Sequence, residues 1–283
     1  MERFGLSTAL CSARVAAATF SATSTPRPAP RTPPQSSCFT AVAGAWANAV
    51  ACATTAWPSP VGASDYRLTP ESPWPAQVHD VKAAIRWMRA SALRLGIDPS
   101  RIAIEGHSAG AHLALLAAGT PGLPAFEGDG GNPGVATDIA AVVAVYPPVR
   151  FHLGNDRASG STPATALMGE AATMEDARAA GPIEYAAANF PPTLLLHGSA
   201  DKVVPPTASL RMYEALSQAG APVEIHMYAN LPHGFARLPS MLGLVQDEIA
   251  NFLDRHIVDP GRVKREVDQL LEEMAATRTA AAR

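Results

Sequence analysis

The chain has 283 residues, 47% hydrophobic and 17% charged, enough for one large α/β domain or two small ones with a buried core. A formal net charge of −3 excludes the strong basic bias of nucleic-acid or anionic-membrane binders. Cys11, Cys38 and Cys52 all lie in the first 52 residues, so the rest is not disulfide-built and fits a reducing cytoplasm. No apolar run reaches the roughly 18 to 20 residues of a membrane span. Arg3 and the apolar residues after it give a weak signal-like pattern, which Arg14 breaks, leaving secretion as the lesser expectation.

Composition changes near residue 65. Before it stands Ala, Thr, Ser and Pro with almost no periodicity, including "STPRPAPRTPPQSS" at 24–37, which predicts an irregular or disordered segment. After it, Val81, Ala84, Ile85, Met88, Ala92 and Leu95 recur at helical spacing, predicting a helix over 80–95 that Gly96 ends. "IDPSR" leads into a strand at 102–105, and a small-residue apolar helix follows at 111–118. A Gly/Asn/Pro loop covers 129–134. Continuous apolar runs at 139–146 and 193–197 predict strands covered on both faces. A helix at 208–219 closes on Gly220, a strand spans 223–228, and an amphipathic helix takes 242–257.

Strands alternating with helices argue for a mostly parallel sheet flanked by helices on both faces. The expected division is an atypical segment at 1–64, an α/β domain at 65–257 and an amphipathic helix at 258–283. In that last helix Val267, Leu270, Leu271 and Met274 share a face that docks on the body or on a neighbour, leaving room for a homo-oligomer; the alternative is a free charged tail. No internal repeat is present.

Between the strand at 102–105 and its helix stands Gly106-His107-Ser108-Ala109-Gly110. A serine hydroxyl is a poor nucleophile unless a base adjoins it and donors await the oxygen of the attacked carbonyl. A tight strand-to-helix turn meets both needs. It exposes Ser108 in strained geometry, allows no side chain at Gly106 or Gly110, and aims the helix N–H groups, Ala109 first, at the reacting oxygen. The partners follow in the order serine, acid, histidine, each after a strand. "LLLHGSADKVVP" presents Asp201 and "VEIHMYANLPHGF" presents His233, with Gly234 allowing a sharp loop. The competing histidines are less well placed. His107 points away in an elbow, His112 falls on the helix, His197 belongs to core or support, and His79 resembles a helix cap. No cluster has metal-ligand spacing and no phosphate loop is present, so no cofactor is expected.

These residues resemble the α/β-hydrolase superfamily, in particular the hormone-sensitive-lipase-like and feruloyl-esterase-like carboxylesterases. The segments that carry the likeness are "DYRLTPESPWPAQVHDVKAAIRWMR" (65–89), "GIDPSRIAIEGHSAGAHLA" (96–114), "HGSADKVVP" (197–205) and "LPHGF" (231–235). The resemblance implies Ser108 as nucleophile, His233 as base, Asp201 as orienting acid and the Ala109 N–H as one oxyanion donor. It implies hydrolysis of a small-molecule ester. Alternatives on the same fold are a peptidase, an arylformamidase, or an inactive product with an incomplete oxyanion hole.

One departure stands out. This branch carries a His-Gly-Gly-Gly loop after an apolar strand upstream of "DYRLTPE". Residues 36–60, "SSCFTAVAGAWANAVACATTAWPSP", show neither that strand nor those glycines. With codons ending in G or C, a one-base shift turns Phe39 to Gly44 into His-Gly-Gly-Gly-Gly. In a gene whose codons end mostly, not always, in G or C, the same shift turns Cys52 to Pro58 into Arg-Asp-Tyr-Gly-Leu-Ala. The expectation is that part of the first 58 to 64 residues is out of frame; the alternative is a divergent amino terminus that abolished the loop.

Overall fold

The computed structural model describes residues 35–40, 61–64, 66–154 and 161–281, the first group and 61–63 as backbone. The signal-like start, Cys11, Cys52, the proline-rich 24–34 and residues 41–60, where the glycine loop was sought, lie outside the described residues.

Among the described residues the main sheet has six strands, all neighbours parallel, in the order β2-β1-β3-β4-β7-β8. Strands β1 (Gln35–Thr40) and β2 (Val61–Ala63) come from the segment expected to lack a strand, so that expectation is corrected. The pairing that places β1 is main-chain, with Ser37 to Thr40 opposite Ile102 to Glu105, and needs no apolar alternation of its own. A register shift between Gln35 and Ser37 marks an irregularity at its start.

Helix α1 (Ala76–Ala90) starts four residues before the predicted position, and Ser91 separates it from the one-turn α2 (Ala92–Leu95). Gly96, at φ 69°, then ends the helical run in a left-handed turn. Strand β3 (Ile97–His107) is longer at both ends than predicted, and α3 (Ala109–Gly119) begins immediately after Ser108. The short α4 (Pro124–Glu127) precedes the Gly/Asn/Pro loop, and β4 (Ala141–Val145) is buried throughout. An excursion that sequence periodicity did not reveal comes next. It holds the small parallel pair β5 (Phe151–His152) and β6 (Thr162–Pro163), then α5 (Thr165–Met168) and α6 (Met174–Ala179). The remaining elements are β7 (Thr193–Gly198), α7 (Thr207–Ala219), β8 (Val223–Tyr228), α8 (Pro239–Leu253) and α9 (Arg262–Ala281).

Alternate residues of the central strands feed two cores, as a strand's period of two requires. Ile102, Ile104, Val142, Ala144 and Leu195 pack with α1, α3 and α7, whereas Ala103, Val143, Val145, Leu194 and Leu196 pack with α8. Gly110 to Ala118 of α3 are all buried, as a helix apolar all round demands. The apolar face of α9 is present but uncovered: Val263, Val267, Leu270, Leu271 and Met274 are all exposed, so it does not dock on the body. No described helix is long and apolar enough to cross a membrane.

Three cations of α1 fasten the segment between α3 and β4. Lys82, fully buried, donates to the Thr120 carbonyl and to Glu127 Oε1 at 2.8 Å. Arg86 donates to Glu127 Oε2 at 2.9 Å and to the Gly130 carbonyl at 2.6 Å, while Arg89 holds carbonyls of Ala136 and Asp138. Burial pushes the Glu127 carboxyl up, but bonds from Lys82, Thr137 and Gly122 outweigh it and hold the group below its ordinary value. A carboxyl depressed on folding stabilises above its unfolded pKa of about 4.3, and that stability is lost as pH falls through the folded value. Glu127→Ala strands two buried cations and is expected to cost about 3–5 kcal/mol at neutral pH. Thermal denaturation should register a drop of roughly 6–20 °C. A change below about 2 °C would mean that the cations find other partners.

Candidate active site

All described strands of the main sheet are parallel, so the loops after β3, β7 and β8 open at one edge. The chain leaves β1 for β2 on one side and returns to β3 on the other, a reversal that makes a crevice at the strands' carboxyl ends. Ser108 follows β3 at that reversal, with φ 53° and ψ −118°. A non-glycine residue there is strained and must be held. Its N–H donates to the Val145 carbonyl at 2.9 Å, and its own carbonyl accepts from His112 N–H at 3.0 Å. The turn is tight enough that a Cβ on Gly106 would sit 2.2 Å from the Gly110 carbonyl oxygen. Ala109 is the first residue of α3, where an N–H has no acceptor within the helix.

The acid and histidine loops are stitched together. A Cβ on Gly198 would sit 2.2 Å from the Leu231 carbonyl oxygen, which accepts instead from Ala200 N–H at 3.0 Å. Ser199 Oγ accepts from Asn230 N–H at 2.8 Å. Gly234, at φ 79°, turns the chain immediately after His233.

Asp201, His233 and Ser108 meet in this frame. His233 Nδ1 lies 2.6 Å from Asp201 Oδ2, and His233 Nε2 lies 2.9 Å from Ser108 Oγ. Asp201 does not cap α7. Its Oδ1 accepts from the N–H groups of Val203 and Val204 at 2.8 and 2.9 Å. Burial of Asp201 raises its pKa, but bonds from His197, His233 and those two N–H groups dominate and hold the carboxyl well below the usual range. An ionised acid there requires the hydrogen on His233 Nδ1 and leaves the Nε2 lone pair facing the serine hydroxyl.

His197 supports the acid from the core. Its Nε2 is 3.2 Å from Asp201 Oδ2 and 3.1 Å from the Val204 carbonyl, so the hydrogen belongs on Nε2. Its Nδ1 then accepts from Ser209 Oγ at 2.7 Å. His107 turns from the serine to Glu105 and Tyr146. His112 is buried, bonded to the Ala180 carbonyl, and burial pushes its pKa down to about 4. His79 is no cap: the N-cap of α1 is Pro75, and His79, inside the helix, bonds the Ala125 carbonyl. Sequence reasoning missed Tyr146, whose ring centroid lies 4.5 Å from that of His233. The available signal was a polar aromatic ending a wholly apolar strand. Among the described residues no cluster of three His, Cys, Asp or Glu side chains is placed to hold a metal ion.

A parallel sheet clothed on both faces, with a strained serine between strand and helix, defines an α/β-hydrolase. Residues 60–216 match the BD-FAE family, and the chain belongs to that family, in the hormone-sensitive-lipase-like carboxylesterase branch. It is similar to Esterase LipQ of Mycobacterium tuberculosis, at 34% identity over 67% of this chain and 46% of that protein. The chain spans about half the length of the curated relatives it matches. Among solved structures, a truncated carbohydrate esterase from gut microbiota superposes with TM-score 0.65 and 27% identity, covering 79% of this chain and 87% of that one. The propionate-bound esterase Est2 of Thermogutta terrifontis gives 0.64 and 26%, over 81% and 84%.

Proposed function

We propose that this protein is a serine carboxylic ester hydrolase acting on small, uncharged acyl esters. The observation that carries this reading is the unbroken line Asp201 Oδ2, His233 Nδ1, His233 Nε2, Ser108 Oγ, with bonds of 2.6 and 2.9 Å. His233 takes the Ser108 proton as Oγ attacks the ester carbonyl, and returns it to the leaving alcohol. Water then attacks the acyl-enzyme, its proton passing to His233 and on to Ser108 as the acid leaves. Asp201 holds the imidazole and balances its transient charge. The Ala109 N–H, at the positive end of α3, faces the developing oxyanion. A propionate-bound neighbour favours a short acyl group. The lack of cysteine beyond Cys52 supports a reducing cytoplasm. Treatment with a fluorophosphonate, then peptide mass spectrometry, tests the site: the adduct is expected on Ser108, and an adduct elsewhere overturns the assignment.

Oxyanion stabilisation yields a second test. A single donor is worth about 10² to 10³ in kcat, and Ala109 is the donor proposed from the described residues. In the shifted frame a His-Gly-Gly-Gly-Gly loop starts at position 39, within the last two positions of β1. With codons ending in G or C, Gln35 to Phe39 then reads Val-Val-Val-Leu-His, a β-branched run suited to a strand paired on both sides. A chain rebuilt to that frame over residues 36–60 is expected to turn over p-nitrophenyl acetate about 10² to 10³ faster than the present sequence. Resequencing the gene is the first check. A confirmed frame, with equal rates for the two chains, rules the shift out.

A further inference from the structure

We infer that Tyr146 is a positioning residue for His233, and that Glu105 and His107 hold it in that role; this rests on reading His233 as the base. Tyr146 follows directly on β4, is buried, and has φ 46°, a conformation a bulky residue keeps only when its surroundings impose it. Its N–H donates to the Leu196 carbonyl at 2.7 Å, and the Val145 carbonyl before it accepts from Ser108 N–H. The turn is therefore tied to β7 on one side and to the nucleophile's own turn on the other.

What the strained turn accomplishes is the placement of a ring. The Tyr146 and His233 centroids are 4.5 Å apart at an interplanar angle of 55°, and Phe235 packs on Tyr146 at 5.6 Å. An imidazole bonded once at each nitrogen is fixed along the line of its two bonds but free to rock about that line. A side chain against its ring stops the rocking and keeps the Nε2 lone pair on Ser108 Oγ.

The brace is itself braced. Glu105 and His107 are two apart on β3 and lean to the same face. His107 Nε2 lies 3.0 Å from Glu105 Oε1, and a carboxylate oxygen accepts, so the hydrogen is on Nε2. His107 Nδ1 then accepts from the Tyr146 hydroxyl at 3.0 Å, and the two rings stand edge to face. Burial pushes the Tyr146 hydroxyl's pKa up, so it keeps the proton that it donates. The order carboxylate, imidazole, hydroxyl is that of Asp201, His233 and Ser108, and the two arrays touch at the Tyr146–His233 contact.

The test compares Tyr146→Leu, Tyr146→Phe, His107→Gln and the Phe/Gln double variant with the wild-type chain. Two readouts are used: kcat per fluorophosphonate-titrated site, and the downfield NMR proton of the short His233 Nδ1–Asp201 bond, identified by its loss in His233→Ala. Tyr146→Leu is expected to lose about 10²-fold in kcat, the scale of a misplaced reacting group, with KM changed by less than about twofold. Its downfield proton should broaden. Tyr146→Phe keeps the ring and should lose only about 3- to 10-fold. His107→Gln should match it, and the double variant should be no worse than either single change. A tyrosine that merely fills space would lower the melting temperature and the titratable fraction, leaving kcat per site and the resonance intact; that result overturns the proposal. If Tyr146→Leu does not fold, additive or null effects of the Phe and Gln changes overturn it instead. A wild-type chain that titrates no serine refutes the hydrolase reading alone, and the resonance in Tyr146→Leu then decides the brace.

Discussion

Ser108→Ala is expected to lower kcat for a short p-nitrophenyl ester by about 10⁶-fold, the scale of removing a serine nucleophile from a triad. The size follows from geometry. Ser108 Oγ is the atom that His233 Nε2 faces at 2.9 Å, on a turn whose strain is held by Val145 and by the glycine at 106. An alanine keeps that backbone and loses one oxygen, so stability should change little while covalent catalysis disappears. His233→Ala should be nearly as severe, and the double variant no worse, because nucleophile and base act as a unit. Rates per folded molecule, with circular dichroism to confirm the fold, are the measurement. A loss below about tenfold for Ser108→Ala would place the nucleophile elsewhere.

The parts of this site legible in the sequence are those with a local cause. Gly106, Ser108 and Gly110 sit within one turn, and the spacing alone forces a tight bend between an apolar strand and an apolar helix. Asp201 and His233 were legible because each follows a predicted strand within a few residues, and a parallel sheet delivers all such loops to one edge. His107 was legible by the same reasoning, as a residue on the far side of the elbow.

What was not legible has non-local causes. Strand β1 is placed by main-chain pairing with β3 and carries no alternation of its own to betray it. The excursion from β5 to α6 is made of two-residue strands and single turns, too short for any period to register. Tyr146 looks like a strand-terminal aromatic until β7 and the elbow are folded against it. The fate of α9 is instructive in the other direction: its apolar face was plain in the sequence, yet whether it is covered depends on what lies opposite, and here that is solvent.

Asp201→Asn is expected to lower kcat by about 10⁴-fold while the protein stays folded. Hydrogen bonding decides which way the new amide points. The Oδ1 position accepts from two backbone N–H groups, those of Val203 and Val204, so the amide oxygen must remain there. The NH₂ then takes the Oδ2 position and faces His233 Nδ1. A donor opposite Nδ1 requires a lone pair on it, which moves the imidazole hydrogen to Nε2, where it points at Ser108 Oγ. The base is then present in place but in the wrong tautomer, with no lone pair to receive the serine proton. The same NH₂ confronts His197 Nε2, which keeps the Val204 carbonyl as an acceptor and so limits the structural damage. Because Asp201 contributes to the chemistry rather than to substrate contact, KM should move far less than kcat. Steady-state kinetics on titrated sites, together with nitrogen-15 NMR of the His233 tautomer, make the measurement. A variant that retains more than about a tenth of wild-type kcat, with its hydrogen still on Nδ1, would show that another group orients His233.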